Sequence, residues 1–193
     1  MKTTTTLLLI LALTFNAWGQ TKEMSINPEE SSIHWLAKKV TGQHDGTIKI
    51  TSGSLTMQND LISGGNFEVD MTSIFVSDLN GEYKQKLEGH LKSDDFFSVD
   101  KFPKANLLIK ETRQKMPNHY EINADLTIKG KTHPITFAAV VTSKELSFSA
   151  IANIKIDRTK WDVTYNSGNF FENLGDYLIK DEIEFDIFLL SVK

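Results

Sequence analysis

The chain has 193 residues, of which 21 are lysine or arginine and 25 are aspartate or glutamate, and its formal net charge is −4. This mild acidity disfavours a nucleic-acid partner and electrostatic docking to an anionic membrane, since both need a clustered basic surface. The sequence contains no cysteine, so the fold has to be stable without disulfides.

The N-terminus has the pattern of a secretory signal peptide. Lys2 precedes a nine-residue, mostly apolar run at 7–15, which is too short to cross a bilayer, since that takes about 20 residues. Ala17 and Gly19 then place small residues at the −3 and −1 positions of a cleavage site before Gln20. We expect residues 1–19 to be removed on export and residues 20–193 to form one domain without an integral membrane segment. The alternative is an apolar N-terminal strand or anchor.

Period-two alternation of apolar and polar residues dominates the rest of the chain and is typical of half-buried strands. The clearest strand covers 120–129, and Gly130 and Lys131 turn it into a second strand at 135–141. Further strands are predicted at 33–39, 46–51, 53–58, 65–73, 105–112, 148–156 and 182–189. The total is about eight strands with mostly short turns, which can form either a sandwich or a closed antiparallel barrel.

One polar segment, 78–92, breaks this alternation. Its apolar positions, including Tyr83, Leu87 and Leu91, recur at helical spacing, and Asp78 is a possible N-cap. A single helix inserted into a meander of eight strands suits a barrel with a lid. We therefore predict an all-β fold, an antiparallel eight-stranded barrel with one short helical insertion.

The inward-facing positions are mixed in size. Eight strands enclose an interior that side chains just fill or that holds one small ligand. Small residues among the inward positions favour a cavity, and the alternative is a filled core in which small and large residues alternate. The inward positions include Phe67, Ala124, Phe137, Phe148, Ala150, Ala152 and Ile154.

The sequence carries no recognisable catalytic or metal-binding motif. Its five histidines have no HxH or HxxxH spacing, and no Gly-x-Ser-x-Gly elbow is present. His44 with Asp45, or His90 with Asp94 and Asp95, offers an acid–base pair, although such residues more often cap turns at strand ends. We expect no metal, no cofactor and no enzymatic activity.

Arg158 is one of only two arginines in the chain. It either pairs with a carboxylate such as Asp157 or Asp176 and holds a loop to the barrel, or donates to the polar head of a ligand at the barrel mouth. The pairs Phe96–Phe97 and Phe170–Phe171 would point to opposite faces of a strand, so one residue of each pair is expected to pack inward.

Several motifs carry a resemblance to a known family. The most specific is LEGHLKSDDFF at 87–97, followed by Pro103 and Ala105. It is accompanied by GG at 64–65 with DMTSI at 70–74, DLTIKG at 125–130, and Asp157-Arg158-Thr159-x-Trp161. With these motifs the chain resembles the YceI-like family of periplasmic, lipocalin-like proteins over residues 31–189. It departs from many relatives at Asp162, where they have glycine, and in a longer aromatic loop at 165–174.

The resemblance implies a periplasmic barrel with a long apolar tunnel that binds a polyisoprenoid lipid or a similar amphiphile, such as an isoprenoid-quinone precursor. The expected tunnel wall comprises Trp35, Phe67, Phe96, Phe97, Ala124, Phe137, Phe148, Ala150, Ala152, Ile154, Trp161, Phe170 and Phe171. The residues expected at the polar mouth are His44, His90, Arg158 and Tyr165. Because arginine is so scarce, a neutral head group is expected in preference to a diphosphate.

The predicted function is carriage, storage or sequestration of this lipid in the periplasm. One alternative is an enzyme that acts on the lipid through His44 or His90 and a carboxylate. Another is a stress-related structural barrel with a filled interior and no ligand. Whether the protein is a monomer or a homodimer does not follow from the sequence.

Overall fold

The computed structural model describes residues 21–145 and 147–192; the predicted signal peptide and its cleavage site between Gly19 and Gln20 lie outside them. Most of the described chain is β-strand, with one α-helix and three short 3-10 helices. The strands are β1 (Thr21–Ser25), β2 (Ser32–Lys39), β3 (Gly42–Gln58), β4 (Leu61–Val76), β5 (Lys104–Met116), β6 (His119–Ile128), β7 (Lys131–Lys144), β8 (Ser147–Asp157) and β9 (Ile179–Leu190). The helix α1 spans Gly81–Lys92, and the 3-10 helices span Pro28–Glu30, Arg158–Trp161 and Gly175–Tyr177.

Strands β2 to β9 form a closed antiparallel barrel, which confirms the predicted fold class. Each strand pairs with the next along the chain, and β9 pairs with β2 to close the sheet. The connections therefore alternate between two ends. The helix end carries α1 and the connection 158–178, and the opposite end carries β1 and the β3–β4 and β5–β6 turns. None of the helices in the described ranges is long and apolar enough to span a membrane.

Strands β1 and β2 both pair with β3, one beyond the other along its length. β1 pairs with β3 from Thr21 opposite Gln58 to Ser25 opposite Ser54, and β2 pairs with the earlier part of β3. A 3-10 turn separates β1 from β2, because Pro28 has no N–H for a ladder and the side chain of Asn27 caps the turn.

The prediction of separate strands at 46–51 and 53–58 was wrong, since both belong to the 17-residue strand β3. Gly53 does not make a turn. A Cβ at this position would lie 2.3 Å from the ring of Phe67 on β4, so glycine permits a close contact between neighbouring strands.

The helix begins at Gly81, later than predicted, and Asp78 does not cap it. Asn80 holds the N-cap position without a side-chain hydrogen bond. The carboxylate of Asp78 instead lies 2.8 Å from Nδ1 of His44 and accepts a hydrogen bond from the backbone N–H of Asp45 at 3.3 Å. These contacts hold the start of the β4–β5 connection against β3.

The helix α1 is fixed to the end of β4. The backbone N–H of Val76 donates to Oε1 of Glu88 at 2.9 Å, and Nζ of Lys84 lies 3.1 Å from the ring centroid of Phe75. The chain after α1 then folds back, and the N–H of Phe97 bonds to the carbonyl of Leu91 at 3.2 Å.

Strands β6 and β7 form the predicted hairpin with a turn displaced by one residue. Ile128 pairs with Lys131, so the two turn residues are Lys129 and Gly130, with φ of 49° and 71°. Two consecutive positive φ angles define a type I′ turn, whose twist matches that of the strands. Gly130 occupies a position where a side chain would be strained.

Candidate functional site

The barrel encloses an elongated apolar cavity to which all eight barrel strands contribute. The volume of this cavity is about 200 Å³. Along β9 the wall runs from Ile179 to Leu189, about 33 Å of strand at about 3.3 Å per residue. A strand tilt of about 40° reduces this to roughly 25 Å along the barrel axis. Among the described residues that line the cavity, Asn106, Arg158 and Lys180 are polar and the others are apolar.

The cavity is closed at the end that carries β1. Buried core residues that lie beyond its wall there include Met24, Ile26, Met57, Ile62, Tyr120 and Phe148. At the helix end the wall is formed by Leu91, Phe96 and Phe97 from the β4–β5 connection, and by the start of β9. Lys180, on that start of β9, both borders the cavity and is exposed. Because the opposite end is closed, the helix end is the one at which the cavity approaches solvent.

Three rings join the two long connections at the helix end. The imidazole of His90 meets the rings of Tyr165 and Phe96 edge-on, with centroid distances of 4.7 and 4.9 Å. The rings of Phe96 and Tyr165 are 5.3 Å apart. We call His90, Phe96 and Tyr165 the aromatic latch, because they connect the α1 segment to the 158–178 connection above the cavity.

Arg158 is almost completely buried, with 2% of its surface exposed. Its Nη1, Nη2 and Nε groups donate to the carbonyl oxygens of Val163, Ile179 and Lys180 at 2.7, 3.1 and 3.2 Å. Nη2 also lies 3.2 Å from Oδ1 of Asp181. Arg158 therefore holds the start of the 158–178 connection to the start of β9.

The carboxylates that the sequence offered as partners of Arg158 were the wrong ones. Asp157 caps the following 3-10 helix, where it accepts from the N–H of Thr159 at 3.0 Å, and Asp176 is exposed. Burial lowers the pKa of Arg158, and the charges of Asp181 and Asp157 oppose that shift. The guanidinium is paired by a residue 23 positions away, and no short-range pattern connects the two.

Asp162, where many relatives have glycine, adopts a φ of 57° in the left-handed region. Glycine reaches this conformation without strain, and aspartate is among the residues that tolerate it best. A hydrogen bond from Lys131 lowers the pKa of the Asp162 carboxyl, and the ion pair holds this segment to the start of β7.

Most of the predicted tunnel residues lie on the cavity wall: Trp35, Phe67, Phe96, Phe97, Phe137, Ala150, Ala152 and Ile154. Three more are buried in the barrel without reaching the wall: Ala124, Phe148 and Trp161. Trp161, which is 1% exposed, donates from Nε1 to the carbonyl oxygen of Leu126 at 3.1 Å. Sequence reasoning missed wall residues on β2 to β4, such as Ile33, Ile48 and Met71, although their alternation with polar neighbours marked them as inward.

The expectation that one residue of the Phe170–Phe171 pair packs inward was wrong. Phe170 is 58% exposed and Phe171 is 50% exposed. The segment is a turn, in which both backbone N–H groups donate to the carbonyl of Ser167, at 3.1 and 2.9 Å. Strand alternation therefore does not apply to this pair.

The histidines occupy different surroundings from one another. Nδ1 of His44 contacts Asp78 outside the cavity wall, and the expected neighbour Asp45 instead lies 3.3 Å from Nε2 of His34. His90 is 3.1 Å from Asp95, as the sequence had offered. Within the described residues, no group of three or more histidine, aspartate or glutamate side chains is placed to hold a metal ion.

The fold and the cavity define a lipocalin-like, closed barrel with an apolar interior. The YceI-like domain model matches residues 24–189, and the chain belongs to this family. A UPF0312 protein of Staphylococcus aureus is 27% identical over 155 residues, which cover 77% of this chain and 82% of that protein. A UPF0312 protein of Photorhabdus laumondii is 32% identical over 96 residues, 49% of this chain and less than half (46%) of the relative.

Solved structures of low sequence identity share the fold. BcnA of Burkholderia cenocepacia superposes with a TM-score of 0.70 at 16% identity, covering 86% of this chain and 99% of BcnA. A polyisoprenoid binding domain from Saccharophagus degradans gives a TM-score of 0.59 at 12% identity, covering 86% of this chain and 96% of that domain. A YceI protein of Campylobacter jejuni gives 0.52 at 21% identity, covering 68% and 74% of the two chains.

Proposed function

We propose that the protein binds the apolar tail of a polyisoprenoid or similar long amphiphile in the barrel cavity, and carries, stores or sequesters it. The observation that carries the proposal is the apolar wall that runs from Leu91 and Phe97 at the helix end to Leu189 near the opposite end. A lipid tail presents no polar group for such a wall to leave unpaired. The related fold of the Saccharophagus polyisoprenoid binding domain supports the same ligand class.

The expected affinity follows from the apolar contact. Each buried CH₂ contributes about 0.8 kcal/mol before costs, but ligands of drug size retain only about 0.3 kcal/mol for each non-hydrogen atom. One isoprene unit then contributes about 1.5 kcal/mol net, which is roughly a tenfold gain in affinity. A tail of several units therefore binds tightly without any catalytic or charged group.

The head group is proposed to be neutral, as in a quinone, a phenol or a prenyl alcohol. Among the described residues on the cavity wall the cations are Arg158 and Lys180. The donors of Arg158 point to three carbonyl oxygens and to Asp181, and Lys180 is exposed. A diphosphate is usually held by clustered arginine or lysine or by a helix N-terminus.

The positions of the candidate acid–base pairs favour a protein that binds the lipid without converting it. His44 and Asp78 lie outside the cavity wall, and His90 is engaged with Asp95 and the aromatic latch.

Native mass spectrometry, combined with mass spectrometry of an organic extract, tests the proposal. The expected result is an isoprenoid of unaltered structure recovered in proportion to the protein; an empty barrel or a converted lipid would contradict it.

Export to the periplasm is part of the proposal and depends on residues 1–19. Intact-mass measurement of the protein recovered from the periplasm of a Gram-negative host tests it. The expected mass corresponds to a mature chain that begins at or near Gln20, whereas retention of Met1 would contradict export by this route.

A further inference from the structure

Several apolar side chains are exposed at the helix end, where the cavity approaches solvent. Val40 in the β2–β3 turn is 58% exposed, and Phe170, Phe171 and Tyr177 in the 158–178 connection are 58%, 50% and 77% exposed. We call these four residues the apolar rim. Exposed apolar residues that cluster in this way mark interaction sites more often than singly scattered ones do.

Backbone contacts bring the segments of the apolar rim together beside the cavity. The N–H of Val40 donates to the carbonyl of Leu178 at 3.1 Å, and the N–H of Ile179 donates to the carbonyl of Asn166 at 2.9 Å. Gly168 packs against Leu178, because a Cβ on this glycine would lie 3.0 Å from its side chain. The rim is therefore continuous with Ile179, which lines the cavity.

The composition of the rim fits a lipid bilayer surface better than a second copy of the chain. Four side chains of this exposure present roughly 400–500 Å² of almost wholly apolar surface, whereas a stable protein interface of about 800 Å² on each partner is only a little over half apolar and is surrounded by hydrogen-bonded polar groups. Phenylalanine and tyrosine also partition well into the interface between headgroups and acyl chains.

The charges beside the rim are balanced. Lys39 precedes Val40 and Lys180 follows Ile179, while Glu172 follows Phe171 and Asp176 precedes Tyr177. Attachment driven by apolar insertion is therefore expected to depend little on anionic lipid or on salt.

We propose that the apolar rim docks the helix end on a phospholipid bilayer, so that the cavity receives its ligand directly from the membrane. This inference rests on the proposed lipid-binding function and adds the partner from which the lipid is taken. It also explains why two phenylalanines remain exposed beside the mouth instead of packing into the barrel.

Flotation with phosphatidylcholine vesicles tests the docking. The double variant F170S/F171S is compared with I151S/F188S, which removes an equally apolar cross-strand pair, 60% and 39% exposed, from the outer wall of the barrel. We expect F170S/F171S to lose about tenfold or more in vesicle partitioning, and I151S/F188S to change by less than about twofold. Thermal melting of both variants checks that they are folded.

A reporter gives the orientation. Phe170→Trp places a tryptophan on the apolar rim, and Ile151→Trp places one on the outer surface of the barrel. The native Trp35 and Trp161 are buried, with 7% and 1% of their surface exposed. Brominated phosphatidylcholine is expected to quench the fluorescence of the tryptophan at position 170 and to leave the fluorescence of the tryptophan at position 151 unchanged.

Three results would overturn the docking: no vesicle binding by the wild type, equal losses in the two double variants, or a dimer that dissociates when the rim is mutated. Adding phosphatidylglycerol or salt is expected to change partitioning little, and a strong dependence would contradict attachment by apolar insertion. The lipid content of each protein is measured in parallel. A protein that carries lipid but ignores vesicles refutes the docking alone, whereas a protein without lipid contradicts the proposed function.

Discussion

Replacing Ala152 by tryptophan directs a large side chain into the cavity. Ala152 lines the wall and pairs with Ala139 on β7 and Ile187 on β9, both of which also line it. The indole has room there, so the variant is expected to fold with its stability unchanged or raised while the lipid loses its space. If the interior were instead filled, the added atoms would cost about 1–3 kcal/mol.

Ala124→Trp is the matched control. Ala124 is also a small inward residue and is 2% exposed, but it does not line the cavity, because the larger side chains of Ile122 and Leu126 beside it and of Ile109 opposite it do so. The same enlargement is therefore expected to destabilise the barrel by about 1–3 kcal/mol or more. In a domain of this size that corresponds to roughly 2–12 °C in the melting temperature.

The assay measures bound lipid by mass spectrometry of an organic extract and stability by denaturant and thermal unfolding. The expected result is a lipid-free, stable Ala152→Trp protein and a destabilised Ala124→Trp protein. A folded Ala152→Trp protein with undiminished lipid would refute the assignment of this position to the binding site. Equal tolerance of both substitutions would refute the distinction between cavity and core.

Three further predictions concern the helix end. Arg158→Met is expected to destabilise the fold by about 3–5 kcal/mol, because Asp181 and three carbonyls lose their partner; reduced lipid affinity at unchanged denaturant stability would contradict its structural role. Tyr165→Ala removes one ring of the aromatic latch and is expected to speed lipid exchange several-fold at a stability cost of about 0.5–1.5 kcal/mol, and stopped-flow transfer to acceptor vesicles measures the rate. Burial would raise the pKa of Asp78, but hydrogen bonds from His44 and a backbone N–H outweigh it and lower that pKa. The stabilisation by Asp78 is therefore complete above its ordinary pKa and lost as pH falls through the lowered one. The difference in unfolding midpoint between the wild type and Asp78→Asn should then shrink on acidification, and a difference that grew would contradict this linkage.

The strands themselves were predictable because strand alternation depends only on neighbouring residues, whereas the choice of a barrel over a sandwich rested on the single helical insertion. In β8 the residues from Phe148 to Ile156 alternate between inward and outward positions as the sequence indicates. The close pairing of Gly53 with Phe67 was not predictable, since a glycine in a strand has the same local pattern whether it breaks the strand or admits a neighbour.

The position of the cavity could be predicted only in part. Ala124 and Ala152 are both inward and equally small, yet only Ala152 borders the open space. The difference arises from packing between strands, because the larger neighbours Ile122, Leu126 and Ile109 line the cavity around Ala124. The partner of Arg158 depends in the same way on the path of the 158–178 connection, which brings Asp181 back beside it.

Titration of lipid-free protein with prenyl alcohols of increasing length tests the central claim most directly. If the tail occupies the apolar cavity, affinity rises by about tenfold with each isoprene unit and levels off when the tail fills the barrel. Ala152→Trp, which fills part of the cavity, should then bind these alcohols much more weakly than the wild type does. Affinity that is independent of chain length, or absent for every alcohol, would contradict the account.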